Sequence, residues 1–170
     1  MIEKLKQSAF TKKYSVQFIS PDGKASQPFY FFDRYDRETV AQTWQVMRAE
    51  FDEMLLNNAR DKGAEVIEEI SVKELIWEGK QVVGVRAVTK DGEEKEFRAP
   101  LTFDATGKEA LTATRNGWRE RDPFLNKIAV WTYYKGAVRQ KGIDEGATGV
   151  AFVPQKGWFW YIPLPEDRVS

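Results

Sequence analysis

Near its end the chain runs Gly157-Trp158-Phe159-Trp160-Tyr161-Ile162-Pro163, and few local structures accommodate that stretch. On a strand, residues i and i+2 face the same way. Trp158, Trp160 and Ile162 then form one apolar stripe, and Phe159 and Tyr161 lie on the opposite face. Proline donates nothing to a sheet ladder, so Pro163 should end the strand or sit at an edge. Aromatics on both faces predict a strand buried on one side and facing a pocket on the other. A sandwich-core or interface strand is the plainer reading of the same pattern.

Composition removes whole classes of chemistry. The 170 residues contain no histidine and no cysteine. Disulfides, thiolate or histidine metal sites and a Ser-His-Asp triad are therefore excluded within this chain. Chemistry must rest on Lys, Asp, Glu, Tyr or a cofactor. Lys+Arg and Asp+Glu both total 26, so net charge gives no pull toward nucleic acid or an anionic membrane. No apolar run reaches the roughly twenty residues of a membrane span. The first residues also lack the apolar core of a signal peptide, so a cytoplasmic location is expected. Six tryptophans and eleven phenylalanines point to an aromatic-lined concave site.

Local patterns supply the elements. Tyr14, Val16 and Phe18 alternate with polar residues, Ser20-Pro21-Asp22-Gly23 is a turn, and Gln27 to Phe32 reads as a second strand, so a hairpin is expected. Asp33 to Arg37 is a charged connector. Apolar residues from Val40 to Ala59 recur at helical spacing, and periodicity alone predicts one helix from Glu38 to Lys62 with Gly63 as its stop. Three strands follow, Ile70 to Trp77, Gln81 to Thr89 and Glu94 to Arg98, turned at Glu78-Gly79 and Asp91-Gly92. Leu101 to Phe103 reads as a strand leading into Asp104-Ala105-Thr106-Gly107. Ile128 to Tyr134 reads as another strand, and Gly149 to Pro154 pairs with Trp158 to Pro163 as a hairpin. Asp144-Glu145 is a carboxylate pair, but adjacent side chains diverge, which argues against a shared proton.

Four blocks, in order, carry a family resemblance. W-x-W-x-I-P (Trp158, Trp160, Ile162, Pro163) resembles the signature of flavin-dependent halogenases, a tryptophan-halogenase-like branch of the FAD-dependent monooxygenase and geranylgeranyl reductase superfamily. Phe10-x-x-Lys13-x-x-x-x-Phe18 resembles the segment bearing that family's catalytic lysine, with Ser15 where the family usually has glycine. Val46-x-Arg48-x-x-Phe51-Asp52-x-x-Leu55-Leu56 resembles a block in which a short extended piece ends at the arginine and the helix starts just after it. On that resemblance the helix runs from about Ala49 to Lys62, with Arg48 at its mouth. Asp104-Ala105-Thr106-Gly107 resembles the family's second flavin motif.

The resemblance implies an α/β fold, α+β within this stretch. It comprises part of an FAD/NAD(P)-binding Rossmann-like domain with an antiparallel meander, plus the start of an antiparallel substrate domain. The implied partition is a hairpin over 1–36 belonging to the substrate side, a partial FAD-binding domain over 37–111, and a partial substrate domain over 112–170. It implies Lys13 as catalytic residue, Arg48, Val66, Asp104 and Gly107 as flavin contacts, and Trp158, Trp160, Ile162 and Pro163 as lining of the passage to substrate. Reduced FAD, supplied by a separate flavin reductase, would react with oxygen and with chloride or bromide. The resulting hypohalous acid would pass by Lys13 to a small, electron-rich aromatic substrate, free or carrier-protein bound. No G-x-G-x-x-G occurs, and the family carries one upstream. A fragment that self-associates and does not hold flavin by itself is therefore expected. The alternatives are an FAD-dependent hydroxylase or geranylgeranyl-reductase-like flavoprotein, neither of which needs Lys13, and a non-catalytic aromatic-rich interaction domain.

Overall fold

A computed structural model describes residues 1–34 and 41–170. The expected connector and the periodicity-based helix start fall partly on residues 35–40, outside the described residues. In chain order the elements are α1 (Ile2–Gln7), β1 (Thr11–Lys13), β2 (Ser15–Ile19), β3 (Phe29–Tyr30), β4 (Thr43–Gln45), α2 (Arg48–Asp61) and β5 (Ile70–Glu78). They continue with β6 (Gln81–Thr89), β7 (Glu94–Arg98), α3 (Leu111–Arg115), β8 (Tyr134–Lys135), β9 (Thr148–Val153), β10 (Gly157–Tyr161), β11 (Pro163–Leu164) and β12 (Arg168–Val169). They form two compact units: Met1–Ala64 with Ala129–Ser170, and Glu65–Ile128.

The first unit is built on a four-stranded sheet of order β10-β9-β2-β3. The two expected hairpins are both there. β3 runs antiparallel to β2 with Ser15 opposite Tyr30, and β10 runs antiparallel to β9 with Trp158 opposite Phe152. What joins them is a parallel ladder between β2 and β9, Val16 opposite Thr148 through Ile19 opposite Ala151. Two smaller sheets flank it in the same unit, β1 with β4 and β11-β12-β8. Tyr161 ends β10, and Pro163 opens the edge strand β11 opposite Val169, so the proline performs both expected tasks.

The helix starts at Arg48 after the short strand β4, as the arginine block implied and as periodicity alone did not. Met54 and Asn58 are half-buried on α2, as is Phe51. Phe51 meets the buried Phe10 edge-on, ring centroids 6.4 Å apart. The expected strand over Ile128 to Tyr134 is reduced to β8, whose only neighbour among the described residues is β12. Without a ladder partner the backbone of 128–133 gains nothing from staying pleated.

The second unit is the expected meander, with β6 between β5 and β7. Ala87 on the central strand is buried. Arg86 lies between Glu74 and Glu96, the latter at 2.9 Å, and Arg98 reaches Glu78 at 2.7 Å. The Arg86 pairs join neighbouring strands and the Arg98 pair reaches across β6, so opposite charges fix register on a face that solvent reaches. Leu101 to Phe103 was expected as a strand and lies outside any ladder, with Leu101 and Phe103 exposed. The described strands of this unit pair only with one another, all antiparallel.

Through Phe51, Phe10 joins α2 to the segment that leads into β1. Phe10→Ala is expected to lower stability by about 3 kcal/mol, the usual cost of deleting a buried ring. Urea unfolding followed by far-UV circular dichroism checks this, and a change below about 1 kcal/mol would show that α2 is held elsewhere.

Candidate functional site

Strand alternation separates the two adjacent lysines. Lys12 points outward and is exposed, whereas Lys13 is half-buried at the end of β1, opposite Thr43. The Lys13 Nζ lies 5.8 Å from the centroid of the Phe31 ring, within reach of a cation–π contact. Burial alone pushes the Lys13 ammonium below the ordinary lysine value. Desolvation penalises the charged form, and no counter-charge among the described residues offsets it. Phe31 is held there because its N–H donates to the Tyr14 carbonyl at 2.9 Å, directly after β3.

Ser15 is wholly buried. Its hydroxyl donates to Asp144 Oδ1 at 3.0 Å, and the Tyr30 hydroxyl donates to Asp144 Oδ2 at 2.8 Å. Asp144 lies on the loop before β9, at the end of a single 3-10 turn over Gly142–Asp144. Its neighbour Glu145 is exposed, so the two carboxylates diverge as expected. No local sequence pattern singles out this network, because its three members come from three separate segments.

The tryptophans sit on another ladder. Trp158 and Trp160 project from edge strand β10, edge-on at 5.8 Å between centroids and 70° between planes. Cross-strand register puts Phe152, Val150, Phe18, Val16 and Phe29 on the same face. That face is largely open: Trp158 is 48 % and Trp160 54 % exposed. Ile162 is half-buried and Pro163 buried. Phe159 is exposed on the other face. Among the described residues of this unit, the stripe therefore borders solvent on the side read as a pocket wall.

Arg48 opens α2 and forks onto Asp52, Nε to Oδ1 at 3.1 Å and Nη2 to Oδ2 at 3.0 Å. That bond and the Asp52 charge push the guanidinium higher still. In this structure Arg48 serves its own helix, and an anion would have to exchange with Asp52.

In the second unit, Val66 is half-buried in the irregular stretch before β5. Asp104 organises the turn that follows Phe103. Its Oδ1 accepts from the Thr106 N–H at 3.0 Å and the Thr106 hydroxyl at 2.6 Å, and its Oδ2 accepts from the Thr112 N–H at 2.7 Å. The Thr106 hydroxyl oxygen in turn accepts from Leu111 N–H at 2.9 Å. These donors hold the Asp104 carboxyl well below the usual carboxylate range, the Thr106 hydroxyl contributing most. Gly107 has φ +61° with open space where a Cβ would stand. The carboxylate is spent on shaping the loop, and the loop's outer backbone faces open space.

A depressed carboxyl contributes order that is complete above its unfolded pKa and is lost only as pH falls through the folded one. The Asp104 turn should therefore stay closed at about pH 3, where ordinary aspartates take up protons. Amide exchange of Thr106 and Thr112 should remain slow there and become fast in Asp104→Ala at every pH. Equal exchange in both proteins would remove the carboxylate from the turn.

Comparison with known proteins connects these pieces. Residues 5–170 match the tryptophan halogenase family. The chain is 36 % identical to the tryptophan 2-halogenase of Chondromyces crocatus, over 81 % of this chain and 26 % of that protein. It is 31 % identical to the 1H-pyrrole-2-carbonyl-[peptidyl-carrier protein] brominase of Pseudoalteromonas luteoviolacea, over 100 % of this chain and 40 % of that one. Among solved structures, the flavin-dependent halogenase CmlS superposes with a TM-score of 0.86 at 28 % identity, over 99 % of this chain and 30 % of that one. The myxobacterial chondrochloren halogenase CndH, an FAD-dependent halogenase, gives 0.76 at 28 % identity, over 98 % and 38 %. The chain thus spans between about a quarter and two fifths of the length of these relatives. With the lysine strand, the arginine helix, the aspartate turn and the W-x-W-x-I-P strand following one another within the matched stretch, the chain belongs to the tryptophan halogenase family.

Proposed function

We propose that the native protein is an FAD-dependent halogenase of an electron-rich aromatic substrate, with Lys13 as the residue that hands the halogen on. The supporting observation is Lys13 itself: half-buried, under an aromatic ring, and pushed toward its neutral form by desolvation. A neutral amine is a nucleophile and a hydrogen-bond partner, and an ammonium is only a donor. Toward hypohalous acid, the Lys13 lone pair would form a bond to halogen as the oxygen–halogen bond breaks. The hydroxide released would leave as water with a proton from the same nitrogen. Alternatively the amine would hold the acid intact by a hydrogen bond. Trp158, Trp160, Ile162 and Pro163 would border the route to substrate.

The residues present fit part of a flavin site. The Asp104 turn is self-satisfied, and at Gly107 its backbone is open to close approach. Within the second unit, the Asp104–Gly107 turn and the backbone near Val66 are the residues that would hold FAD; within the first, Arg48 would meet an anion only after releasing Asp52. Bound and reduced, FAD supplies the activation of oxygen that oxidises halide. The functional partition assigns 37–111 to the flavin side, and 1–36 with 112–170 to the substrate side. It belongs to the same proposal, as do a separate flavin reductase and a cytoplasmic location. No helix among the described residues is long and apolar enough to cross a membrane. Two relatives act on pyrrole carried by a peptidyl-carrier protein, so carrier-bound substrate belongs in any assay.

The test uses the native gene product with FAD, a reductase, NADH, oxygen and bromide, and a panel of phenols, indoles and pyrroles, free and carrier-bound. Lys13→Ala is expected to lose bromination by about a hundredfold or more while flavin reoxidation continues. In the wild type, bromination should rise with pH through a midpoint below that of an ordinary lysine, because protonation below it removes the lone pair. Hydroxylated product, or bromination indifferent to the substitution, would shift the reading to a hydroxylase or remove Lys13.

The open aromatic face supports the further proposal that the chain by itself self-associates. Sedimentation should show concentration-dependent dimers or larger species that Trp160→Ser with Phe152→Ser shifts toward monomer. Unchanged association in the double variant would place the contact elsewhere.

A further inference from the structure

Lys13 is flanked by two structures that one carboxylate holds. Ser15 lies two residues beyond it, the first residue of β2, and donates its hydroxyl to Asp144 Oδ1. Tyr30 stands directly across the ladder from Ser15 and donates to Asp144 Oδ2. The residue after Tyr30 is Phe31, whose ring covers the Lys13 Nζ. Tyr30 also stacks on Phe32, 4.7 Å between centroids and 11° between planes, so the rings on either side of Phe31 are fixed together. The Asp144 loop is itself pinned against β1. A Cβ on Gly146 would stand 1.9 Å from the Lys12 carbonyl oxygen, so loop and strand touch backbone to backbone. The amide of Gln45, on the strand paired with β1, donates to the Gly146 carbonyl at 3.1 Å and to Thr148 Oγ1 at 2.7 Å.

We propose that Asp144 is a positioning residue for Lys13. Through Ser15 it fixes where the strand leaves the lysine, and through Tyr30 it fixes the ring that keeps the amine from water. This rests on the reading of Lys13 given above. Asp144 touches no reacting atom in the proposal. Its work is to keep a lysine desolvated that would otherwise swing into solvent at the end of a three-residue strand. Both of its oxygens accept from hydroxyls, and the bond raises the Tyr30 phenol above its ordinary value, so Tyr30 remains a donor across the working range. A buried serine hydroxyl requires such a partner.

The sign of the response separates bracing from simple charge. Deleting a nearby carboxylate lowers an amine's pKa, since the charged form loses an attraction. Losing the brace raises it, since water reaches the amine. The experiment follows the Lys13 side-chain carbon resonance through a pH titration in protein carrying ¹³Cε-lysine. The signal is assigned by its disappearance in Lys13→Arg, and no flavin or halide is present. In Asp144→Ala and in the milder Tyr30→Phe, the Lys13 midpoint is expected to move up toward the exposed lysines. The neutral fraction at about pH 8 should fall by about threefold or more. An unmoved midpoint in folded Tyr30→Phe, or a downward move in Asp144→Ala, would overturn the proposal. If Asp144→Ala does not fold, Tyr30→Phe decides alone. Midpoints that move as expected while Lys13→Ala leaves bromination intact would uphold the brace and discard the catalytic reading of the lysine.

Discussion

The parallel ladder between β2 and β9 is the constraint on which the first unit depends. Two hairpins, one from each end of the chain, become a single sheet only because these strands lie side by side. The ladder brings the lysine segment, which precedes β2, into the same unit as the aromatic strand that follows β9. It also delivers the loop before β9 to the first residue of β2, where Asp144 meets Ser15. A parallel pair needs a crossover between its strands, and here everything from β3 to β8 intervenes. Local attraction alone could not hold such a pair. The part-buried hydroxyl–carboxylate bonds and the Gly146 contact with β1 supply the tertiary support.

Electrostatics divide the candidate side chains into those already satisfied and those held short of satisfaction. Arg48 has Asp52, and Asp104 has its own backbone. Each is thereby a shaped surface feature rather than a waiting charge. Lys13 differs. It is half out of water, faces a ring quadrupole, and among the described residues has no counter-charge moving its pKa. Desolvation makes this ammonium easier to deprotonate than an exposed lysine's, the direction that a reactive amine requires.

What the sequence revealed followed the range of the physics involved. Hairpins and the helix stop at Gly63 are short-range events, and turn residues with alternating apolar positions announce them. Pro163 announced a strand end because its missing N–H is a property of one residue. The start of α2 was misleading to periodicity, since the apolar spacing of Trp44 and Met47 continues the helical rhythm although β4 and Met47 precede the helix. The apolar runs at 101–103 and 128–133 resembled strands, but a strand exists only where a neighbour accepts its bonds. Of the candidate residues, Lys13, Arg48, Asp104 and the tryptophans stood out in the sequence because each lies within a compact block. Asp144 did not, since its meaning depends on Ser15 and Tyr30, both more than a hundred positions away. Ser15, an oddity when read against the usual glycine, is the residue through which that distant carboxylate takes hold.

The parallel ladder also has a consequence in time. On the ribosome, β2 emerges long before β9 is made. At roughly 5–20 residues per second, it waits on the order of ten seconds with one ladder edge unpaired. During that interval Phe18 and Phe29, edge-on at 5.6 Å in the finished fold, lack their β9 and β10 neighbours on that face. A nascent chain in that condition is a natural client for holding chaperones, and slower translation would lengthen its exposure without altering the fold that it finally reaches.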